Sequence, residues 1–218
     1  MNILIAGGGT SGSYVVEQLK DKNNITLIEQ NTSQYQHLKE SFPEITIIRG
    51  DACEPDVLEK ANIVVADTVV ALTGDDEDNL VISFLAKFTH KVPFTIARIN
   101  NPKNEWLFTN MWGVDVALSS AVMVTNLIKE EIGLGELITV MKLQKENLVL
   151  EEIVLTDKSA VVGKRLGEIR FPEKTRVMVI ISDSGLVIPD GNTIFKNGDK
   201  IILITQPDIL SQVSKILE

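Results

Sequence analysis

The chain has 218 residues, 44% of them apolar and 5% aromatic, with 30 acidic against 21 basic side chains and a formal net charge of −9. That length carries one large domain, or a standard domain plus a small one, and either can bury a core. The excess of acid argues against nucleic acid or an anionic membrane surface as main partner, since both require a basic patch to neutralise phosphates.

No apolar run approaches the roughly 20 residues that span a bilayer, so direct membrane insertion is not expected. Met1 leads straight into a candidate strand, which leaves no room for a signal peptide. A single cysteine, Cys53, cannot form an internal disulfide and fits a reducing compartment. The expectation is a soluble cytoplasmic protein.

In chain order, strands are predicted over Asn2–Ala6, Ile25–Glu29, Ile45–Ile48, Thr68–Leu72, Phe94–Arg98 and Val114–Leu118. They are short, rich in β-branched residues and apolar without alternation, as parallel strands buried on both faces are. Helices are predicted between them over Ser11–Lys20, Ser33–Ser41, Pro55–Lys60, Glu77–Phe88 and Lys103–Met111. Parallel neighbours need crossovers, and crossovers are right-handed, so the expected fold is a doubly wound α/β sheet of Rossmann type. A longer helix follows, capped by Ser119 or Ser120 and striped by Val122, Leu127, Ile128 and Ile132. Gly133 and Gly135 mark its end, which sets domains of 1–134 and 135–218.

The second domain reads as a small α+β unit. "LITVMKL" and "LVLEEIVL" are predicted strands and "VVGKRLGEI" a short helix. "RVMVIISDSGLVIPDGNTIF" reads as strands joined by turns at Asp183–Gly185 and Pro189–Asn192. "DKIILIT" is a further strand, and Pro207 opens a closing helix through Leu217.

Gly7, Gly9 and Gly12 form G-x-G-x-x-G after the first strand and at the opening of the first helix. The first glycine permits a tight turn, the second lets backbone approach a pyrophosphate, and the third packs helix on strand. Thr10 and Ser11 belong to the same loop and helix start, where backbone N–H groups and the helix dipole favour phosphate. Glu29 ends the second strand at the spacing of a ribose-binding carboxylate, which disfavours a 2′-phosphate and so NADP. Asp51 and Ala52 follow the third strand, Thr73, Gly74 and Asp75 the fourth, and Arg98 ends the fifth, all at the carboxyl edge where such sheets bind ligands. Arg98 is open to two readings, a phosphate contact or a salt bridge. Asp75, Asp76, Glu77 and Asp78 also read as an ordinary helix start with a cap and dipole-favoured acids, a reading that Asp76 and Glu77 suit best.

A catalyst is harder to find. His37 and His90 both fall in predicted helices, His90 near a helix C-terminus. Tyr35 and Lys39 have the Y-x-x-x-K spacing of short-chain dehydrogenases, but after the second strand they lie on the adenosine side. Cys53 reads as a small buried residue. No Walker A motif, Cys/His metal spacing, calcium loop or G-x-S-x-G elbow is present. The enzyme reading therefore has a cofactor site without a catalyst. It survives only as an NAD-dependent oxidoreductase whose catalytic residue comes from another subunit. A plain interaction protein with a degenerate cleft is a third reading.

Taken together, "ILIAGGGTSG", "GDACEPDVLEKANIVVADTVVALTGDDEDNLVISFLAK" and "ARINNPKNEWLFTNMWGVDV" resemble the RCK (KTN) N-terminal nucleotide-binding domain. "VVGKRLGEIRFP" with "DSGLVIPDGNTIFKNGDKIILIT" resembles the RCK C-terminal domain. The resemblance implies a TrkA-like regulatory subunit of Trk/Ktr potassium uptake. Such a subunit would sit at the cytoplasmic face in a homo- or hetero-oligomeric ring, typically an octamer, under a membrane-embedded potassium translocating subunit. It implies an adenine nucleotide as ligand, NAD or NADH first, with AMP, ADP or ATP as alternatives. Gly7, Gly9, Gly12 and Arg98 would then hold phosphates and Glu29 the ribose. Asp51 and Ala52 would border the adenine, and Thr73 and Gly74 would wall the cleft. The helix from Ser119 would pair neighbouring domains. Many relatives carry arginine where this chain has Thr10, and a hydroxyl lacks the charge-assisted contact an arginine gives a terminal phosphate. The departure points to NAD(H) or a shorter nucleotide, or to a second, arginine-bearing subunit. In the small domain, an apolar dimer face is expected before any ligand site.

Overall fold

A computed structural model describes residues 1–132, 135–143 and 147–218. The chain divides into two compact units, Met1–Val122 and Met123–Glu218.

In the first unit the strands are β1 (Asn2–Ala6), β2 (Asn24–Glu29), β3 (Thr46–Arg49), β4 (Thr68–Ala71), β5 (Phe94–Ile99) and β6 (Val116–Ser119). All pair in parallel in the order β3-β2-β1-β4-β5-β6. That is the doubly wound order, and its direction reverses between β1 and β4. Neighbouring residues of β1 serve opposite faces. Leu4 and Ala6 pack into one cluster with Val69, Ala71 and Ile82, while Ile3 and Ile5 pack into the other with Val16, Leu27 and Leu38. Both faces being covered is why these strands are apolar without alternation.

The crossovers include α1 (Thr10–Leu19), α2 (Thr32–Ser41), α3 (Pro55–Lys60) and α4 (Asp76–Phe84). Asn31 caps α2 by accepting from the Gln34 amide at 3.0 Å, and Pro55 opens α3, each at a position its chemistry favours. Two expected helices differ. The α4 helix widens into a π-helical turn over Leu85–Thr89, where the His90 amide reaches back to the Leu85 carbonyl at 3.0 Å. The α-helix expected over Lys103–Met111 is instead two 3₁₀ segments, Pro102–Leu107 and Asn110–Trp112. Asn101 accepts from the Lys103 amide at 3.1 Å and Gly113 takes φ +75°, so the stretch between them is confined to short i→i+3 turns.

Ser119 caps α5 (Ser120–Glu131), its hydroxyl accepting from the Val122 amide at 3.4 Å. The expected stripe is largely exposed at Leu127, Ile128 and Ile132, with Met123 and Val124 beside it. Gly135 takes φ +67°, while Gly133 lies outside the described residues.

The second unit holds an antiparallel sheet in the order β10-β9-β11-β8-β7. Its strands are β7 (Ile138–Leu143), β8 (Leu148–Val154), β9 (Arg176–Ser182), β10 (Gly185–Val187) and β11 (Lys200–Thr205), closed by α6 (Leu210–Leu217). Its core gathers Ile153, Ile180, Ile201, Leu203 and Val213 around the fully buried Phe195. "VVGKRLGEI" forms only a 3₁₀ turn at Leu166–Glu168. Gly163 takes φ +82°, and Lys164 and Leu166 pair with Phe195 and Thr193 through the backbone, which commits their main-chain groups across the fold. Val140, Met141, Met178, Leu186, Ile188 and Ile194 stay exposed.

Candidate functional site

The first βα loop is held by contacts its glycines alone allow. Gly7 takes φ +103° and donates its amide to the Ile28 carbonyl at 2.9 Å. A Cβ on Gly12 would stand 1.9 Å from the Gly7 carbonyl oxygen, so α1 starts in direct contact with the loop. A Cβ on Gly9 would meet nothing within 4 Å. Gly9 is the N-cap of α1 and offers no side-chain acceptor, so no side chain caps the first-turn N–H groups, the arrangement that receives phosphate.

Gly8, between them, is fixed on both sides. Its amide donates to Glu29 Oε2 at 2.8 Å, and its carbonyl accepts from Ser13 Oγ at 2.9 Å and Gln34 Nε2 at 2.7 Å. Glu29 is 8% exposed, and its other oxygen accepts from the Asn31 amide at 2.7 Å. The carboxylate thus braces the loop as well as facing the cleft.

At the switch point these elements enclose a hollow of about 260 Å³. Gly7, Gly9, Glu29, Asp51, Ala52, Thr73, Gly74 and Arg98 line it, joined by Gln30, Gly50 and Asp78. Thr10, Ser11 and Gly12 do not. Thr10 lines a neighbouring hollow of about 400 Å³ with Ser13, Gln34 and His37; Ser11 is exposed, and Gly12 is buried at the start of α1. Arg98 makes no ion pair among the described residues, and its buried Nε has no partner there.

The acids of "TGDDED" divide their roles. Asp75 precedes α4, but its side chain makes no cap bond. Asp76 is 4% exposed and turned toward the Asn100–Asn104 stretch. Burial pushes the Asp78 carboxyl up, and the nearby charges of Asp51, Asp75 and Glu77 add to this against a hydrogen bond from Cys53. Asn79, fully buried behind Thr73 and Arg98, carries no sequence signal of its own: a helix start explains its neighbours locally.

Chemistry is correspondingly sparse. Tyr35 and Lys39 sit together on α2, the ammonium 5.5 Å from the ring centre, and neither lines the hollow. Burial, then Asp78 and Asp51, push the Cys53 thiol up to about 12. Its thiolate fraction near pH 8 is therefore about a thousandfold below that of an ordinary cysteine. Cys53 should resist alkylation by iodoacetamide in the folded protein and react at the usual rate in urea; rapid labelling of the folded chain would contradict this environment.

Residues 3–120 match the family model described as the TrkA-N domain, and residues 150–218 match the TrkA-C domain. The chain is 35% identical over 219 residues to the Trk system potassium uptake protein TrkA of Mycobacterium tuberculosis, covering 100% of this chain and 98% of that one. It is 29% identical over 224 residues to a TrkA homolog of Pyrococcus abyssi, covering 100% and 98%. Among solved structures, the GsuK channel bound to NAD aligns with a TM-score of 0.57 at 18% identity, over 100% of this chain and 39% of that one. The TrkA-N domain of the Escherichia coli inner membrane protein ybaL aligns with a TM-score of 0.55 at 17% identity, over 60% and 96%. Both likenesses speak to the fold.

Proposed function

Because this chain belongs to the TrkA family of Trk-system potassium-uptake proteins, we propose that it is the nucleotide-sensing regulatory subunit of such a system. It acts at the cytoplasmic face by gating a membrane-embedded potassium translocating subunit. The observation that carries this reading is the hollow at the switch point, with an uncapped helix start, an open approach at Gly9 and the unpaired Arg98 Nε.

Phosphates rest on the start of α1 and on Arg98. Glu29 receives the ribose hydroxyls, and Asp51 and Ala52 border the base. Gly12 contributes by seating α1 on the loop, while Thr10 and Ser11 belong to the rim. The ligand is an adenine nucleotide, NAD or NADH first and AMP, ADP or ATP after it. The potassium-uptake naming of the family favours a signal over a reaction.

Residues 1–134 form the sensing domain, with α5 pairing it to a neighbour, and 135–218 the second domain of a subunit that assembles into a ring. Gating requires that the nucleotide bind one shape of that ring more tightly than the other, since equal affinity shifts nothing.

Melting of the purified protein against NAD, NADH, NADP, ATP, ADP and AMP tests the site. A ligand at about 100 times its dissociation constant adds about 2.7 kcal/mol, or roughly 5–10 °C at this chain length. The shift is expected with adenine nucleotides lacking a 2′-phosphate and should vanish in Arg98→Ala. No shift with any of the six would refute the nucleotide reading for the isolated subunit.

A further inference from the structure

The ladder between β4 and β5 ends at Ala71 and Ala97. Thr73 lies beyond β4, while Arg98 keeps its pairing with Leu118 of β6 but has no ladder partner on the β4 side, and both stand on the wall of the hollow. The Asn79 side chain joins them. Its Oδ1 accepts from the Thr73 amide at 2.9 Å and the Thr73 hydroxyl at 2.8 Å. Its Nδ2 donates to the Arg98 carbonyl at 2.9 Å and, more weakly, to the Thr73 carbonyl at 3.4 Å. An amide has two donor hydrogens and one oxygen with two lone pairs, so this side chain is fully committed.

Three residues earlier, Asp76 grips the chain after β5. Oδ1 accepts from the Asn100 amide at 2.6 Å, and Oδ2 accepts from the Asn101 amide at 3.1 Å and Asn104 Nδ2 at 2.8 Å. Asn100 closes the circuit by donating from Nδ2 to the Thr73 carbonyl at 3.2 Å. Burial opposes the charge on Asp76, but the hydrogen bonds from Asn100, Asn104 and Asn101 outweigh it and hold the carboxyl below the ordinary range. The stretch so gripped leads into the two 3₁₀ segments, which carry both tryptophans of the chain, Trp106 and Trp112. They are 74% and 41% exposed.

We propose that Asn79 and Asp76 are positioning residues. Asn79 fixes the main chain at Thr73 and Arg98 against which a nucleotide rests, and Asp76 couples that wall to the tryptophan segment. Neither side chain need touch the ligand. Asn79 and Asp76 are buried and each holds several partners at once, so a displacement at Thr73 or Arg98 is carried along them rather than absorbed. The ligand side of this inference rests on the nucleotide reading above; the clamp itself is a property of the ligand-free chain.

Asp76→Asn is the informative variant. It keeps the size and the acceptor for Asn100, but sets an amide donor against the donors of Asn101 and Asn104. Hydrogen exchange of the ligand-free protein, read by mass spectrometry, should show faster exchange in peptides covering 98–104 and also in those covering 73–75, which Asp76 does not touch. Exchange loosened only at 98–104 would overturn the clamp.

Calorimetry with NAD and ADP, paired with acrylamide quenching of tryptophan emission, tests the coupling. Wild type should change its quenching on saturation. Read at saturation, so that any loss of affinity does not enter, Asp76→Asn should lose roughly half or more of that response. Asn79→Ala, which orphans the Thr73 amide and the Arg98 carbonyl, should bind at least about tenfold more weakly. Binding to wild type with unchanged quenching would overturn the coupling, and unweakened binding by folded Asn79→Ala would overturn the positioning role. Should wild type bind neither probe, the nucleotide reading falls, and the exchange experiment alone decides the clamp.

Discussion

Alanine at Gly12 is expected to lower folding stability sharply, while alanine at Gly9, three residues away in the same motif, should leave it nearly intact and abolish ligand binding instead. A Cβ on Gly12 would lie 1.9 Å from the Gly7 carbonyl oxygen, a backbone atom that no rotamer change moves. Gly7 cannot retreat either. A Cβ there would already stand 2.8 Å from the Leu72 carbonyl, and its amide is tied to Ile28. The strain must be taken by shifting α1 off β1, where Val16 packs with Ile3 and Ile5. Overpacking of this kind costs about 1–3 kcal/mol and more where backbone is the obstacle, which should lower the melting midpoint by several degrees.

At Gly9 the added methyl meets open space. The only cost to the fold is a poorer N-cap, about 1 kcal/mol or less. The methyl would nevertheless occupy the approach to the first N–H groups of α1, where phosphate must sit within hydrogen-bond distance. Urea unfolding and calorimetry with NAD on the two variants separate the roles. Equal destabilisation by both, or normal NAD binding by Gly9→Ala, would mean that the motif's glycines do not divide the work in this way.

The sheet was legible because parallel strands covered on both faces leave an unbroken apolar record. "NILIA" and "TVVA" can do little else between turn residues. The loop and Glu29 were legible because a glycine demand and an acid at a fixed spacing are local signals. Ends shifted by one or two residues, as at Thr10 and Ser119, where fraying makes boundaries a matter of single hydrogen bonds.

What escaped was set by distant partners. Residues 103–111 have a composition that suits a helix, but Asp76, far earlier in the chain, claims the Asn100 and Asn101 amides and the Asn104 side chain. Likewise Lys164 to Leu166 are held by Thr193 and Phe195. Asp76 and Asn79 themselves were hidden by a sufficient local explanation. Acids at a helix start need no further role, and nothing in "DDEDN" tells which carboxylate is turned inward.

The same double duty governs Glu29→Ala, for which two losses are expected at once. The carboxylate accepts from the Gly8 amide in a buried bond and from the Asn31 amide in a partly buried one. Removing it leaves the first donor without water to replace it, at about 1–3 kcal/mol, with a smaller loss at Asn31. The loop that loses its brace is the loop that holds phosphate, so weaker nucleotide binding by this variant does not by itself establish a ribose contact.

A cycle between protein and ligand does. Binding of AMP and of 2′-deoxy-AMP is measured to wild type and to Glu29→Ala, well below both melting midpoints. If Glu29 accepts from the ribose, the missing hydroxyl should cost wild type about tenfold or more, the range of a hydrogen bond to a charged group. It should cost Glu29→Ala almost nothing, because the partner is already gone. An equal penalty in both proteins would assign the carboxylate to the loop alone. The ribose would then have to be held elsewhere on the wall, with Gln30 and Asp51 the next polar side chains lining it.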